Sequence, residues 1–316
     1  METIPANLPS TAKCTRCKER GAIRLPHHHA IFCHDCFVLF CRKAVERAMK
    51  KSGLPPGVPI MVAVSGGKDS LALWDLLDTL GYETKGLHVT LGIGNFSQAS
   101  IEAVDSFAAK RGLPWVHHSL KKTFGYTIEE VKQRTWRSIC SVCGLLKRQM
   151  LNRLTVHEGF RALAVGHNLD DEAGRLLGNI LRNRRQYFEK QYPFLPSIHP
   201  GIPAKLKPLY RLDSFELRAY CRVRAISPVE GPCPLSRGAT SHIVKEALEL
   251  IEKKMPGTKR DFLFSYIGGR LAPTAESDVR TCTRCGEPCY GEVCSVCNLR
   301  EHLEARDLKK AGVERA

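Results

Sequence analysis

The stretch VAVSGGKDSLALW, residues 62 to 74, limits what this chain can fold into more than any other. Its β-branched, apolar start reads as a buried strand, SGG as a turn and DSLALW as the opening of a helix. The pattern then recurs. ETKGLHVTLG, PWVHHSL and RALAVG read as further strands, and SLALWDLLDTLG, SQASIEAVDSFAAKRG and DEAGRLLGNILRNRR as helices. Strand and helix taking turns predict an α/β fold, a doubly wound parallel sheet covered on both faces. DSFELRAYCRVRA and SHIVKEALELIEKKMPG are expected to be its last helices. The proline-rich residues 188 to 212 are expected to form a loop with one edge strand.

A loop at the carboxyl end of the first strand of such a sheet is where ligands bind, because the next helix turns its free N–H groups and positive dipole end toward it. Ser65, Gly66 and Gly67 allow close approach of phosphate, Lys68 supplies positive charge and Ser70 a hydroxyl, a nest that suits pyrophosphate. Asp69 fits a magnesium ligand or a helix cap. In this context SGGKDS resembles the PP-loop of the N-type ATP pyrophosphatases, which adenylate a carbonyl oxygen and release pyrophosphate. The resemblance implies ATP and Mg2+ over residues 65 to 70, with His88, Val89 and Thr90 beside the adenosine. It also implies that Gly166, His167, Asp170 and Asp171 of AVGHNLDDEA face the same cleft. Taken alone, a glycine turn and a DD helix cap are the plainer readings.

Ten of the fourteen cysteines stand in two terminal groups. Cys14/Cys17 and Cys33/Cys36 are fifteen residues apart, which is zinc-ribbon spacing, and Cys282/Cys285 and Cys294/Cys297 are eight apart, a tighter knuckle. Each predicts one structural Zn2+ in preference to disulfides. His27 to His29, or His34, could replace one thiolate at the first site. Cys41 and Cys289 read as surplus, and Cys221 as packing. The expected divisions are 1–54 for the first module and its helix, 55–272 for the catalytic domain, and 273–316 for the second module and tail.

ICSVCGLLKRQM places Cys140 and Cys143 one helical turn apart, and GPCP holds Cys233 in a stiff, extended segment. Three thiolates suit an open zinc site, an iron–sulfur cluster with one iron not held by the protein, or a persulfide with a resolving partner, and spacing does not choose among them. Combined with the PP-loop and the terminal pairs, these residues resemble the tRNA 2-thiolation enzymes of the TtuA group, within the wider TtcA family. The likeness covers almost the whole chain. It implies a [4Fe-4S] cluster on Cys140, Cys143 and Cys233 whose free iron takes the incoming sulfur. It also implies an ATP-dependent tRNA uridine 2-sulfurtransferase that adenylates uracil O2, with T-loop uridine 54 favoured over wobble uridine 34 or cytidine 32. A non-catalytic, tRNA-binding zinc adaptor is the rival from another class. Lys147 would polarise O2 or steady negative charge, and Asp171 would orient magnesium or accept a proton. A ubiquitin-like, thiocarboxylated carrier as sulfur donor and a homodimer are implied in the same way.

Lys+Arg 48 against Asp+Glu 32 gives +16, a surplus that suits a polyanion such as tRNA. Lys13, Arg16, Lys18, Arg20, Arg24, Arg280 and Arg284 surround the zinc modules. Lys121, Lys122, Arg134, Arg137, Arg182, Arg184 and Arg185 lie nearer the cleft, with Trp136 and Tyr187 placed for stacking. Solvated charge is the plainer alternative. With no apolar run of about 18 residues and no leader, the chain reads as cytoplasmic, with no membrane partner.

Overall fold

The computed structural model describes residues 8, 9, 11–55, 57–188, 191–236, 238–269 and 279–310. It opens with strands β1 (Ile23–Leu25) and β2 (Ala30–Phe32), paired antiparallel, and helix α1 (His34–Lys50). Then come β3 (Ile60–Ala63), α2 (Lys68–Thr79), β4 (Thr84–Thr90), α3 (Gly94–Arg111) and β5 (Trp115–Ser119). Helices α4 (Leu120–Phe124), α5 (Ile128–Arg134) and α6 (Ile139–His157) lead to β6 (Ala162–Ala164) and α7 (Leu169–Leu181). Strands β7 (Phe194–Leu195) and β8 (Ala204–Leu206) precede α8 (Ser214–Val223), α9 (Thr240–Lys254) and α10 (Thr258–Gly268). A second small hairpin, β9 (Arg280–Thr281) and β10 (Pro288–Cys289), is followed by α11 (Ser295–Lys310).

The main sheet has the order β5-β4-β3-β6-β8-β7, parallel except for β7. From β3 the chain winds outward to β4 and β5, then returns to β6 on the other side. The loops after β3 and β6 therefore lie side by side at the carboxyl edge, the position where open α/β sheets bind ligands. Residues 188 to 212 differ from expectation by holding two strands. One of them, β8, lies inside the sheet beside β6, a placement set by its pairing with Ala162–Ala164 and invisible in a three-residue run. Helix α10 is a further element, separated from α9 by Pro256 and the left-handed Gly257.

Alternation along the strands divides the core in two. Ile60 and Val62 of β3 face one side with Trp74, Phe37, Val45 and Leu217, while Met61 faces the other with Leu87, Leu146, Val296 and Leu303. Each terminal module thus closes one face of the sheet. The N-terminal segment contributes α1 to the main core rather than standing apart, and the expected division at 272/273 lies outside the described residues.

One buried ion knot fastens the first layer. Asp75, fully buried on α2, accepts from Tyr220 Oη (2.6 Å) and Arg224 Nε (2.8 Å) and pairs with Arg111 Nη2 (2.9 Å). Asp75→Ala would strand these partners, and the expected loss is about 3–5 kcal/mol. Urea denaturation measures it, and a loss under about 1 kcal/mol would show that the knot does not anchor α2 to α8.

Candidate active site

Beyond β3 the chain turns through Val64 to Gly67 and enters α2. Gly66 has φ +78°, and a Cβ there would stand 2.6 Å from the Ser100 carbonyl oxygen, so only glycine fits. The turn is closed from within: the Ser65 N–H donates to Ser70 Oγ (3.1 Å), and that hydroxyl donates to the Gly67 carbonyl (2.9 Å). Gly67 caps α2 without a side chain, which leaves the first N–H groups of the helix for an anion. Lys68 Nζ rests 2.6 Å from Asp69 Oδ1, and Asn168 Nδ2 donates to the same oxygen (3.2 Å). At Gly166 a Cβ would come within 3.1 Å of the Asp69 and Ser70 backbone. The segments 65–70 and 166–171 are therefore in contact.

His88 is buried beneath this turn, with Nδ1 2.8 Å from the Val64 carbonyl oxygen and Nε2 without a hydrogen-bond partner. Burial keeps its imidazole below the usual pKa. Val89 is half-buried, and Thr90 Oγ1 lies 2.5 Å from His117 Nε2.

The start of α7 carries the paired aspartates, which part company. Asp171 completes a capping box with Asn168 and forms an ion pair with Lys245 of α9. Burial works against its charge, but Lys245 and His167 outweigh that and hold the carboxyl below its ordinary range. Asp170, expected to face the nucleotide cleft, instead accepts from Lys259 Nζ (2.5 Å) and the Ser214 N–H (2.7 Å). Those bonds commit its carboxylate to joining α7, α8 and α10. His167 Nδ1 sits 3.3 Å from Glu172 Oε1, and the buried Glu172 is paired with Lys207 Nζ at 2.7 Å. Asn168, Glu172, Lys207 and Lys245 were not picked out from the sequence. Only the N-cap position of Asn168 left a signal there.

The cysteine trio lies at the same edge. The Val229 N–H donates to the Gly66 carbonyl (2.9 Å), and Cys233 follows four residues later, within about 14 Å even if fully extended. Cys140 Sγ lies 3.8 Å from Leu235 O, so the start of α6 meets the segment that carries Cys233. Burial pushes the Cys143 thiol up, while Lys147 nearby pulls it back, and Cys233 and Cys140 are close enough to add repulsion between thiolates. The trio is not among the groups whose ligand atoms all lie within 4.8 Å of one another. Three thiols drawn from α6 and the segment of Cys233 are a donor set that suits a cluster held by three protein ligands. Cys221 is buried, with its thiol pushed up to about 12 by burial, as befits a packing residue.

The two terminal groups differ from the trio in this respect. Cys14, Cys17, Cys33 and Cys36 converge, with Cys17 and Cys33 sulfurs 3.6 Å apart. Cys282, Cys285, Cys294 and Cys297 converge likewise, with sulfur separations of 3.7 and 4.0 Å. Tetrahedral thiolates about 2.3 Å from one ion stand about 3.8 Å apart, so both sets fit one ion each. The Cys294 N–H donates to Cys282 Sγ (3.2 Å), and this contact leads those that draw the Cys282 thiol down to about 6.

The histidines do not join the first cysteine group. His27 and His28 turn the other way, each Nε2 3.2 and 3.1 Å from Glu216 Oε1 at the start of α8. Burial opposes charge on His27, but Glu216 raises its pKa above the ordinary value. A group shifted upward stabilises the fold fully below its unfolded pKa, about 6.5, and ceases to do so as pH rises through the folded value. The melting-temperature gap between the wild type and His27→Ala is therefore expected to narrow between pH 6 and 9. A constant gap would refute the charged latch.

Trp136 is 83 % exposed and Tyr187 46 %. Three of the basic residues singled out for phosphate contact are already ion-paired: Lys121 with Glu130, Arg134 with Asp307 and Arg284 with Glu301.

A doubly wound sheet with a glycine turn at its switch point and a cysteine trio beside it defines a nucleotide-dependent α/β enzyme. The PP-loop domain family matches residues 42–234. The chain is 40% identical over 301 residues to the tRNA-5-methyluridine(54) 2-sulfurtransferase of Thermus thermophilus, covering 94% of each, and 36% identical to that of Pyrococcus horikoshii, covering 91% of this chain and 93% of the relative. It is 30% identical to the mouse cytoplasmic tRNA 2-thiolation protein 1, covering 92% and 72%. Its fold superimposes on the U34-tRNA thiolase NcsA of Methanococcus maripaludis, solved with its [4Fe-4S] cluster, with a TM-score of 0.80, 25% identity and 96% and 97% coverage. The chain belongs to the PP-loop ATP pyrophosphatases, in the group of the tRNA-5-methyluridine(54) 2-sulfurtransferases. Among the described residues no helix is long and apolar enough to cross a membrane.

Proposed function

We propose that this protein is an ATP-dependent tRNA uridine 2-sulfurtransferase acting at 5-methyluridine 54. The observation that carries the reading is the bond from Val229 to Gly66, four residues before Cys233, because it ties the nucleotide turn to the cysteine trio. ATP, with Mg2+, lies over residues 65 to 70, where the free N–H groups of α2 and Lys68 take its phosphates. Uracil O2 attacks the α-phosphorus, and pyrophosphate leaves. The base is then an O-adenylate, so attack by a sulfur nucleophile at C2 breaks the C2–O2 bond and releases AMP carrying the former oxygen. Lys147, one turn beyond Cys143, stabilises negative charge on O2. Asp171, kept ionised by Lys245, accepts a proton or orients the metal. A [4Fe-4S] cluster on Cys140, Cys143 and Cys233, when bound, supplies an open iron for the sulfur.

The terminal four-cysteine sets hold one Zn2+ each and give two small segments a metal core. The sulfur comes from a ubiquitin-like carrier with a C-terminal thiocarboxylate, the enzyme works as a homodimer, and the names of the eukaryotic relatives support a cytoplasmic location.

Mass spectrometry of tRNA nucleosides from a deletion strain tests the assignment. Loss of 2-thio-5-methyluridine, restored by the intact chain, is expected. Loss of a thiolated wobble uridine instead would transfer the activity to position 34. Anaerobically prepared protein is expected to carry about four irons and two zincs per chain. Zinc without iron would favour persulfide chemistry.

A further inference from the structure

The carboxyl edge of the sheet holds more positive charge than the nucleotide turn uses. Lys205 of β8 pairs in register with Leu163, whose side chain belongs to the core beneath α6, so Lys205 stands on that same face. It is half-buried. Lys207, two residues on, shares the face and takes Glu172 as its partner at 2.7 Å. Arg175 reaches the same carboxylate only at 3.5 Å and lies 3.3 Å from His167 Nδ1. Among the described residues no carboxylate comes within ion-pair distance of Lys205 or Arg148. Asp171 nearby is taken by Lys245.

Lys207 and Arg175 thus share one buried acid, while Lys205 and Arg148 stand near them without one. Lys205 is the more enclosed of the unpaired two, and burial first, then Arg148, Lys207 and Arg175, bring its ammonium down to about 8. Arg148 and Arg175 are exposed, so the cluster is open to an anion from outside. Two guanidinium forks beside an ammonium match the oxygens of a phosphate.

Place narrows the source of that phosphate. Arg148 folds back on α6, where a Cβ at Gly144 would stand 3.1 Å from Nη1, so its guanidinium lies against the residue next to Cys143. Trp136, on the approach to α6, and Tyr187 both offer exposed rings to unstacked bases. ATP phosphates have their own seat at residues 65 to 70.

We propose that Arg148, Arg175 and Lys205 receive a backbone phosphate of the tRNA strand that carries the target base, beside the cysteine trio. The assignment rests on the tRNA reading given above. These are positioning residues, since they hold the strand and leave the chemistry to others.

Filter binding of unmodified tRNA to the full-length protein at several salt concentrations, together with the KM for ATP in pyrophosphate release, tests the proposal. Arg148→Gln and Lys205→Gln are each expected to weaken tRNA binding about 10- to 100-fold and to lower the salt slope by about one, with the KM for ATP unchanged. Wild-type iron and zinc content certifies each variant as folded, and if Arg148→Gln fails that check, Lys205→Gln decides. Unchanged tRNA affinity and slope overturn the proposal. A raised KM for ATP with intact tRNA binding also overturns it, by assigning the cations to the nucleotide. A wild type that binds no tRNA removes both this site and the function on which it rests.

Discussion

Cys233→Ala is expected to lower tRNA thiolation by about three orders of magnitude or more, the scale of loss when one member of a cooperating set is removed. Cys140 and Cys143 share one helix and keep their spacing without help. Cys233 arrives from a separate segment, held between the Val229–Gly66 bond and the Leu235–Cys140 contact. Removing it leaves two sulfurs on one side only. Bound iron is expected to fall while two zincs remain, because both four-cysteine sets lie on other elements. Cys41→Ala serves as the control, since that thiol is buried in the core on α1. A Cys233→Ala protein with full iron and full thiolation would end the three-cysteine assignment.

Gly66→Ala is expected to damage both stability and ATP use. A non-glycine residue at φ +78° costs about 1–2 kcal/mol, and relieving a 2.6 Å approach to the Ser100 carbonyl adds about 1–3 kcal/mol. That contact is with backbone, so neither side yields by a simple rotation. The turn must move, and a displacement of about 1 Å at a positioned phosphate costs about a hundredfold in rate. Gly159 provides the comparison: its φ is +82°, but nothing lies within 4 Å of the added carbon. Gly159→Ala should bear the backbone cost alone and keep pyrophosphate release. Equal melting temperatures and equal turnover for the two variants would show that the Ser100 contact does not constrain the turn.

The nucleotide turn was legible because its chemistry is local. SGGKDS combines residues that only a phosphate-binding strand–turn–helix needs, and the predicted strands and helices around it are those observed. The four-cysteine sets were legible for the same reason, since spacing alone determines whether two pairs can close on one ion. The paired aspartates were not. Asp170 and Asp171 are neighbours in sequence, yet α7 turns one toward Lys259 and the other toward Lys245, and those lysines come from α10 and α9. The three histidines near the first four-cysteine set read as spare ligands until α8 placed Glu216 opposite two of them.

By itself the sequence determined the kinds of chemistry on offer: a phosphate-binding turn, a C-x-x-C pair with a later cysteine, and two four-cysteine sets at metal-ligand spacing. Only the tertiary structure decided which of these meet, because β8 entering the sheet beside β6 and α6 returning to the same edge are long-range pairings with no local signature. The cluster of Arg148, Arg175 and Lys205 exists for that reason alone. Its members come from α6, α7 and β8, and no periodicity or motif marks any of them until the sheet brings their charges together.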